Sequence, residues 1–182
     1  KHIQVLKPKY RVDECLSEIK ECLDIGWTGM GYKTIEFENQ WKTYTSLNHA
    51  HFLNSASAGL HLAVKILKEK HGWQDDDEII TTPLTFISTN HSIVYENLKP
   101  CFADIDDSLN LNPQSVIKKI NKKTKAIIFV GIGGNTKNLI EIISIAREKN
   151  LVIILDAAHM SGSHINSKHV GFDVDVSVFS FQ

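Results

Sequence analysis

The sequence predicts an α/β fold in which a mostly parallel sheet is sandwiched between helices. Two observations carry that expectation. From residue 78 onward, strands that are apolar throughout alternate with helical stretches, and strands of this kind are those covered on both faces. The intervening helices run to roughly 10–15 residues, long enough to cross from one parallel strand to the next. A third observation points at function. In VIILDAAHMSG (152–162) an apolar run ends directly on a carboxylate, Asp156. In open α/β sheets, ligands sit outside the carboxyl ends of the strands.

The elements follow in order. Residues 12–25 read as a helix, with Cys15, Leu16, Ile19, Cys22 and Leu23 on one stripe and Gly26 as its stop. A glycine-rich loop with two aromatics, Gly26 to Tyr32, leads to a second helix over 34–47. A short strand is expected at 51–54. A helix follows at 58–71, with Leu60, Leu62, Ala63, Ile66 and Leu67 as its core face. Strands at 78–82, 100–105, 126–130, 152–155 and 174–181 then alternate with helices at 88–95, from Pro113, and at 137–149. Pro113 suits a first helical turn, where its missing N–H costs nothing.

Totals narrow the function. With 20 Lys+Arg against 21 Asp+Glu, the chain has no basic excess to draw nucleic acid. No run of 18 apolar residues suggests a membrane span. KHIQVLKPKY at the N-terminus lacks the apolar centre of a secretory signal. Cys15, Cys22 and Cys101 form no CxxC pair, which suits a reducing, cytoplasmic setting. His49 and His51 have no acidic or cysteine partner at ligand spacing, so no metal site is expected. The abrupt stop inside an apolar stretch, VSVFSFQ (176–182), suggests the N-terminal portion of a longer protein.

Three turns are candidates for chemistry. GIGGNT (131–136) joins a strand to a helix. It reads either as a plain glycine turn or as a dinucleotide loop in which Thr136 replaces the last glycine. NSASAGL (54–60) is either a helix cap by Ser55 or Ser57, or an anion site made of helix amides and hydroxyls. Asp156 either caps its own turn or faces a ligand. The combination favours the ligand. The early serine turn, Phe86, Asp156 and Ser180 all fall at carboxyl ends of strands, and together they describe a pocket for a flat, phosphorylated, cationic aromatic ring.

The segments MGYKTIEFE (30–38), NSASAGLHLA (54–63), TTPLTFISTNHSI (81–93), PCFADID (100–106), LDAAHMSG (155–162) and VSVFSF (176–181), in this order and spacing, resemble the DegT-type sugar-nucleotide aminotransferases. These are fold-type I enzymes that use pyridoxal 5′-phosphate (PLP). The resemblance implies a PLP-binding large domain over 31–182, preceded over 1–30 by an N-terminal helix and a substrate-side loop. It also implies that the chain is truncated before the Schiff-base lysine, expected just beyond Gln182, and that the small C-terminal domain is absent. By the same resemblance Ala56 and Ser57 match the phosphate-binding Gly-Thr pair, and Ser180 matches the phosphate-binding serine. Phe86 matches the aromatic stacked on the ring, Asp156 the acid on the pyridine nitrogen, and His159 a side chain beside the ring hydroxyl. Trp27, Gly31 and Tyr32 fall on the substrate side. There Met30 and Tyr32 stand where relatives often carry threonine and proline, while Gly31, Phe37 and Glu38 keep register.

The physics agrees with these roles. PLP is an electron sink only while its ring nitrogen is protonated. A carboxylate ~3 Å away supplies about 5 kcal/mol of raw attraction at an effective dielectric of ~20, before desolvation. The implied activity is transfer of an amine from an amino acid, glutamate foremost, to a nucleotide-linked keto sugar within a homodimer. A dehydratase of the same family, a catalytically silent PLP-fold binding protein, and an oxidoreductase using the Gly131 loop are the alternatives.

Overall fold

The computed structural model describes residues 8–26 and 29–181. In chain order the elements are α1 (Val12–Ile25), α2 (Tyr32–Thr45), α3 (Ala56–His71), β1 (Glu78–Thr81), α4 (Ile87–Val94), β2 (Lys99–Phe102), α5 (Pro113–Lys119), β3 (Thr124–Val130), a 3-10 turn (Ile132–Gly134), α6 (Leu139–Glu148), β4 (Val152–Ala157), β5 (His164–Ile165), β6 (Lys168–His169) and β7 (Val176–Phe179). The main sheet has the order β2-β1-β3-β4-β7, and each of its four pairings is parallel. This is the α/β sandwich that the apolar strands predict.

Strand periodicity sorts the two faces. Ile79, Ala126, Ile128, Val130 and Ile154 point to one side, where they meet Val64 and Leu67 of α3 and Ile93 of α4. Ile80, Ile127, Phe129, Ile153, Leu155 and Ala157 point to the other, against Val116 of α5 and Leu139, Ile142, Ile145 and Ala146 of α6. Asp156 shares the parity of Ile154, so its side chain belongs to the α3–α4 side. The connection after β1 runs to that side and the connection after β3 to the other. The sheet therefore opens a crevice between the carboxyl ends of β1 and β3, one strand away from β4.

Local chemistry explains the boundaries. Gly26 ends α1 in the left-handed region at φ 74°, as its position predicts. Asn112 caps α5 by accepting from Gln114 and Ser115, with Pro113 in the first turn. The guanidinium of Arg147 grips both carboxylate oxygens of Asp175 at 3.0 and 2.8 Å, and Asp175 also accepts from the Ile153 amide at 2.8 Å. That ties α6 to the entrance of β7.

Several expectations need correction, among them the second helix, which is Tyr32–Thr45 rather than 34–47, and the strands at 100–105 and 174–181, which shorten to Lys99–Phe102 and Val176–Phe179. Residues 51–54 form no strand. They lie against α2, where the Phe52 amide donates to Glu38 Oε1 at 2.8 Å and the Phe52 ring meets Phe37 edge-on. α3 starts two residues earlier than the periodicity suggests, because Ser55 caps it from Ala58 N at 3.1 Å. Its core face is Leu60, Ala63, Val64 and Leu67, while Leu62 and Ile66 are exposed. Leu60 to Leu67 is two helical turns, and Leu62 and Ile66 sit well round the cylinder from that line. α1 forms over the predicted residues, yet it buries none of its side chains among the described residues.

The structure adds one element that the periodicity does not suggest. β5 and β6 pair antiparallel through a two-residue turn, Asn166-Ser167, with φ 50° and 64°. Two consecutive positive φ values are those of a tight hairpin turn.

Candidate active site

The site is built around the end of β4. Asp156 lies between Val130 of β3 and Val178 of β7 in the sheet register, and it is 5% exposed. Its two oxygens are separately held. Oδ2 accepts from the Thr89 hydroxyl at 2.6 Å, and Oδ1 accepts from the Ala158 amide at 3.2 Å. Burial pushes the Asp156 carboxyl up from its ordinary value, while Thr89, Ala158 and the nearby His159 pull it back. A buried carboxylate gains from a cationic partner.

Thr89 comes from α4, whose first turn is anchored to the end of β1. Thr81 Oγ1 donates to Asn90 Oδ1 at 3.0 Å, and Asn90 Nδ2 donates to the Thr82 carbonyl at 3.1 Å. The same turn carries Phe86 at the N-cap, with its ring 74% exposed. α4 therefore fixes the aromatic and the partner of the acid as one unit. Thr89 escaped the motif-based selection. Its signal was available: it is three residues past Phe86, and Thr89, Ser92 and Ile93 form the buried face of α4.

His159 lies in the turn after β4 with its side chain exposed. Its Nδ1 accepts from the Gly133 amide at 3.1 Å, so a neutral ring carries its proton on Nε2. The Gly131 loop is thereby docked onto the β4 turn. A Cβ at Gly131 would stand 2.1 Å from the Met160 sulfur, and the Ser163 hydroxyl donates to the Gly134 carbonyl at 2.9 Å. α6 begins only at Leu139, so the glycines do not open a helix. This geometry is that of a packed glycine turn, not of a dinucleotide loop at a helix N-terminus.

Ala56 and Ser57 are the first residues of α3, the former half-buried and the latter exposed beside the helix amides. α3 is pressed against β7 at Gly59, where a Cβ would lie 2.8 Å from Val178 Cγ1. Ser180 follows β7 two residues past Val178, and its carbonyl accepts from the Ser161 hydroxyl at 3.3 Å. The early serine turn and the late serine are thus carried by elements in direct contact.

The substrate-side residues fare differently. Gly31 is the N-cap of α2. Tyr32 turns to α1, donating to Glu21 Oε1 at 2.8 Å, and that contact pushes its phenol above the ordinary tyrosine value. Lys33 bridges Glu18 and Glu21 from the same turn. Trp27 lies outside the described residues.

The parallel five-stranded sheet flanked by helices, with an acid buried at a strand end, matches the fold of PLP-dependent aminotransferases. The chain belongs to the DegT/DnrJ/EryC1/StrS aminotransferase family, whose profile matches residues 10–182. It is 40% identical to the uncharacterised protein MJ1066 of Methanocaldococcus jannaschii, over 93% of this chain and 43% of that one. It is 34% identical to GDP-perosamine synthase of Vibrio cholerae, over 90% and 44%. Spr1654 of Streptococcus pneumoniae, solved in PLP and PMP forms, superposes with a TM-score of 0.88 at 27% identity, over 100% and 49%. The chain spans less than half the length of each.

Proposed function

We propose that the chain is the PLP-binding portion of an aminotransferase that converts a nucleotide-linked keto sugar to an amino sugar, with an amino acid, glutamate foremost, as donor. The observation that carries this reading is Asp156: a carboxylate buried at a strand end, clamped by two donors, in a chain of this family. The residues fit the cofactor. Asp156 would pair with the ring nitrogen, and Phe86, exposed at the N-cap of α4, would stack on the ring. The first amides of α3, with Ala56, Ser57 and Ser180, hold the phosphate. His159, with its proton on Nε2, donates to the ring hydroxyl.

PLP supplies an electron sink for cleavage of bonds at the amino carbon. The chain's own contribution is electrostatic and positional. Asp156 holds a proton on the ring nitrogen. Phe86 would cover a face of the ring, and the α3 turn would hold the phosphate end. The family resemblance assigns Trp27, Gly31 and Tyr32 to the sugar-nucleotide side, with the Tyr32 hydroxyl here donating to Glu21 of α1. The catalytic lysine belongs to the remainder of a longer protein, which works in the cytoplasm as a homodimer.

The test is to incubate the full-length protein with PLP, glutamate and a panel of nucleotide keto sugars and to follow product mass. An aminated sugar supports the reading. A product that has lost a hydroxyl instead assigns the dehydratase reaction, and no turnover with no PLP bound overturns both.

A further inference from the structure

Thr89 is fully buried, and its hydroxyl makes two short contacts, 2.6 Å to Asp156 Oδ2 and 2.7 Å to the Thr85 hydroxyl. A hydroxyl has one proton to give. With Asp156 ionised, that proton must go to the carboxylate, so Thr89 accepts from Thr85 and the pair runs one way, Thr85 to Thr89 to Asp156. The Ala158 amide occupies the other oxygen. Each carboxylate oxygen therefore has its own donor, the hydroxyl at 2.6 Å being the shorter and the amide at 3.2 Å the longer, and the group is buried.

We propose that Thr89 is a positioning residue for the cofactor: its hydroxyl, oriented by Thr85, holds Asp156 as an anion aimed at the pyridine nitrogen, and because Phe86 rides on the same turn, one segment sets both the stacking ring and the acid. This rests on the PLP reading above. Removing the hydroxyl leaves a buried carboxylate with one donor fewer and freer to rotate, in a position where burial already disfavours its charge.

The experiment uses full-length protein stripped of cofactor and reconstituted with PLP isotope-labelled at the pyridine nitrogen. The readouts are the PLP dissociation constant and the pH at which the nitrogen loses its proton, read by NMR. In Thr89→Val, PLP binds about tenfold more weakly and the nitrogen deprotonates at lower pH than in the parent. Thr89→Ser, which restores the hydroxyl, recovers both. Thr85→Val moves them the same way by less. If circular dichroism shows that the valine variant does not fold, Thr89→Ala serves in its place. Unchanged affinity and nitrogen titration in the hydroxyl-less variant overturn the proposal, as does failure of serine to rescue. An Asp156→Asn control separates the two levels. Loss of PLP in Asp156→Asn alone sinks only the role of Thr89, whereas PLP binding indifferent to Asp156→Asn sinks the cofactor reading as well.

Discussion

The two faces of the sheet differ in what they bury. Toward α5 and α6 the strands bury apolar side chains, from Ile80 and Phe129 to Leu155, against Ile142 and its neighbours on α6. Toward α3 and α4 the same sheet buries Ile79, Ile128 and Ile154, and also Thr81, Thr89, Ser92 and Asp156. The first face converts buried area into stability. The second gives up part of that gain to hold a buried carboxylate, as the proposed cofactor site would require. Both faces come from the same strands, so the contrast lies in side-chain parity rather than in backbone.

The sharpest way to break the comparison is to cut a cavity into the apolar face. Ile142→Ala removes a fully buried side chain in the contact between α6 and the sheet. Full-length protein should lose about 3–4 kcal/mol of unfolding free energy by denaturant titration while retaining PLP affinity. A loss below about 1 kcal/mol would mean that this face is not the stabilising one.

Asp156→Asn should do the reverse on the other face. Asparagine can accept from Ala158 and donate to Thr89, which then donates to Thr85, so every polar atom stays satisfied while the buried charge disappears. Burial raises the folded-state value of Asp156 above its unfolded one. In the window between the two, the native protein binds the proton that the unfolded chain releases, so the charge costs stability increasingly as pH rises through it. The cofactor-free variant should therefore melt above the parent at neutral pH, by less than the Ile142→Ala loss. The advantage should vanish below the unfolded carboxylate range, while PLP binding is lost. Equal melting temperatures at pH 7 would show that the two donors already offset the burial.

His169 titrates in the opposite sense. Its ring is 4% exposed, with Nε2 donating to the Ser161 carbonyl at 3.2 Å and Nδ1 accepting from the Gly171 amide at 3.4 Å, and burial lowers its value. The unfolded chain takes up a proton that the folded ring refuses, so stability falls as pH drops through the unfolded histidine range. His169→Gln should flatten that part of the melting-temperature profile.

A smaller test concerns the joint between α3 and β7. Gly59→Ala gains helix propensity, but it places a Cβ 2.8 Å from Val178. The expected net loss is about 1 kcal/mol, with weaker binding of PLP and of free phosphate as α3 is levered off the strand that leads to Ser180. A neutral change in both would mean that Val178 yields without moving the helix.

What could be read from the chain follows the same divide. The apolar strands, Gly26, Pro113 and the strand-end carboxylate were legible because each carries a local physical signature: continuous hydrophobicity, a left-handed stop, a missing N–H, a charge where none should be buried. For Thr89 a place on the buried face of α4 was legible but its role was not, because that role comes from a contact 67 residues away along the chain. The β5–β6 turn was not, because Asn-Ser lacks the glycine that usually announces two positive φ values. The face of α3 was misread in part because Leu62 and Ile66 are as apolar as the residues that do meet the sheet.

α1 and α6 bring that last point to a measurement. Both are amphipathic stretches that the pattern identifies as helices, yet α6 buries Leu139, Ile142, Ile145 and Ala146 while Leu16, Ile19 and Leu23 of α1 remain more than half exposed. α1 is held to α2 by polar contacts, Lys33 with Glu18 and Glu21 and Tyr32 with Glu21, and exposed contacts of that kind contribute little each. Periodicity reports that a helix has an apolar side; it does not report what that side meets. For the 182-residue chain alone, Ile19→Ala should therefore change unfolding free energy by no more than about 0.5 kcal/mol, against the several kcal/mol expected for Ile142→Ala. A larger loss in this chain would place the stripe of α1 against an apolar surface, and the difference between the two helices would then be one of degree.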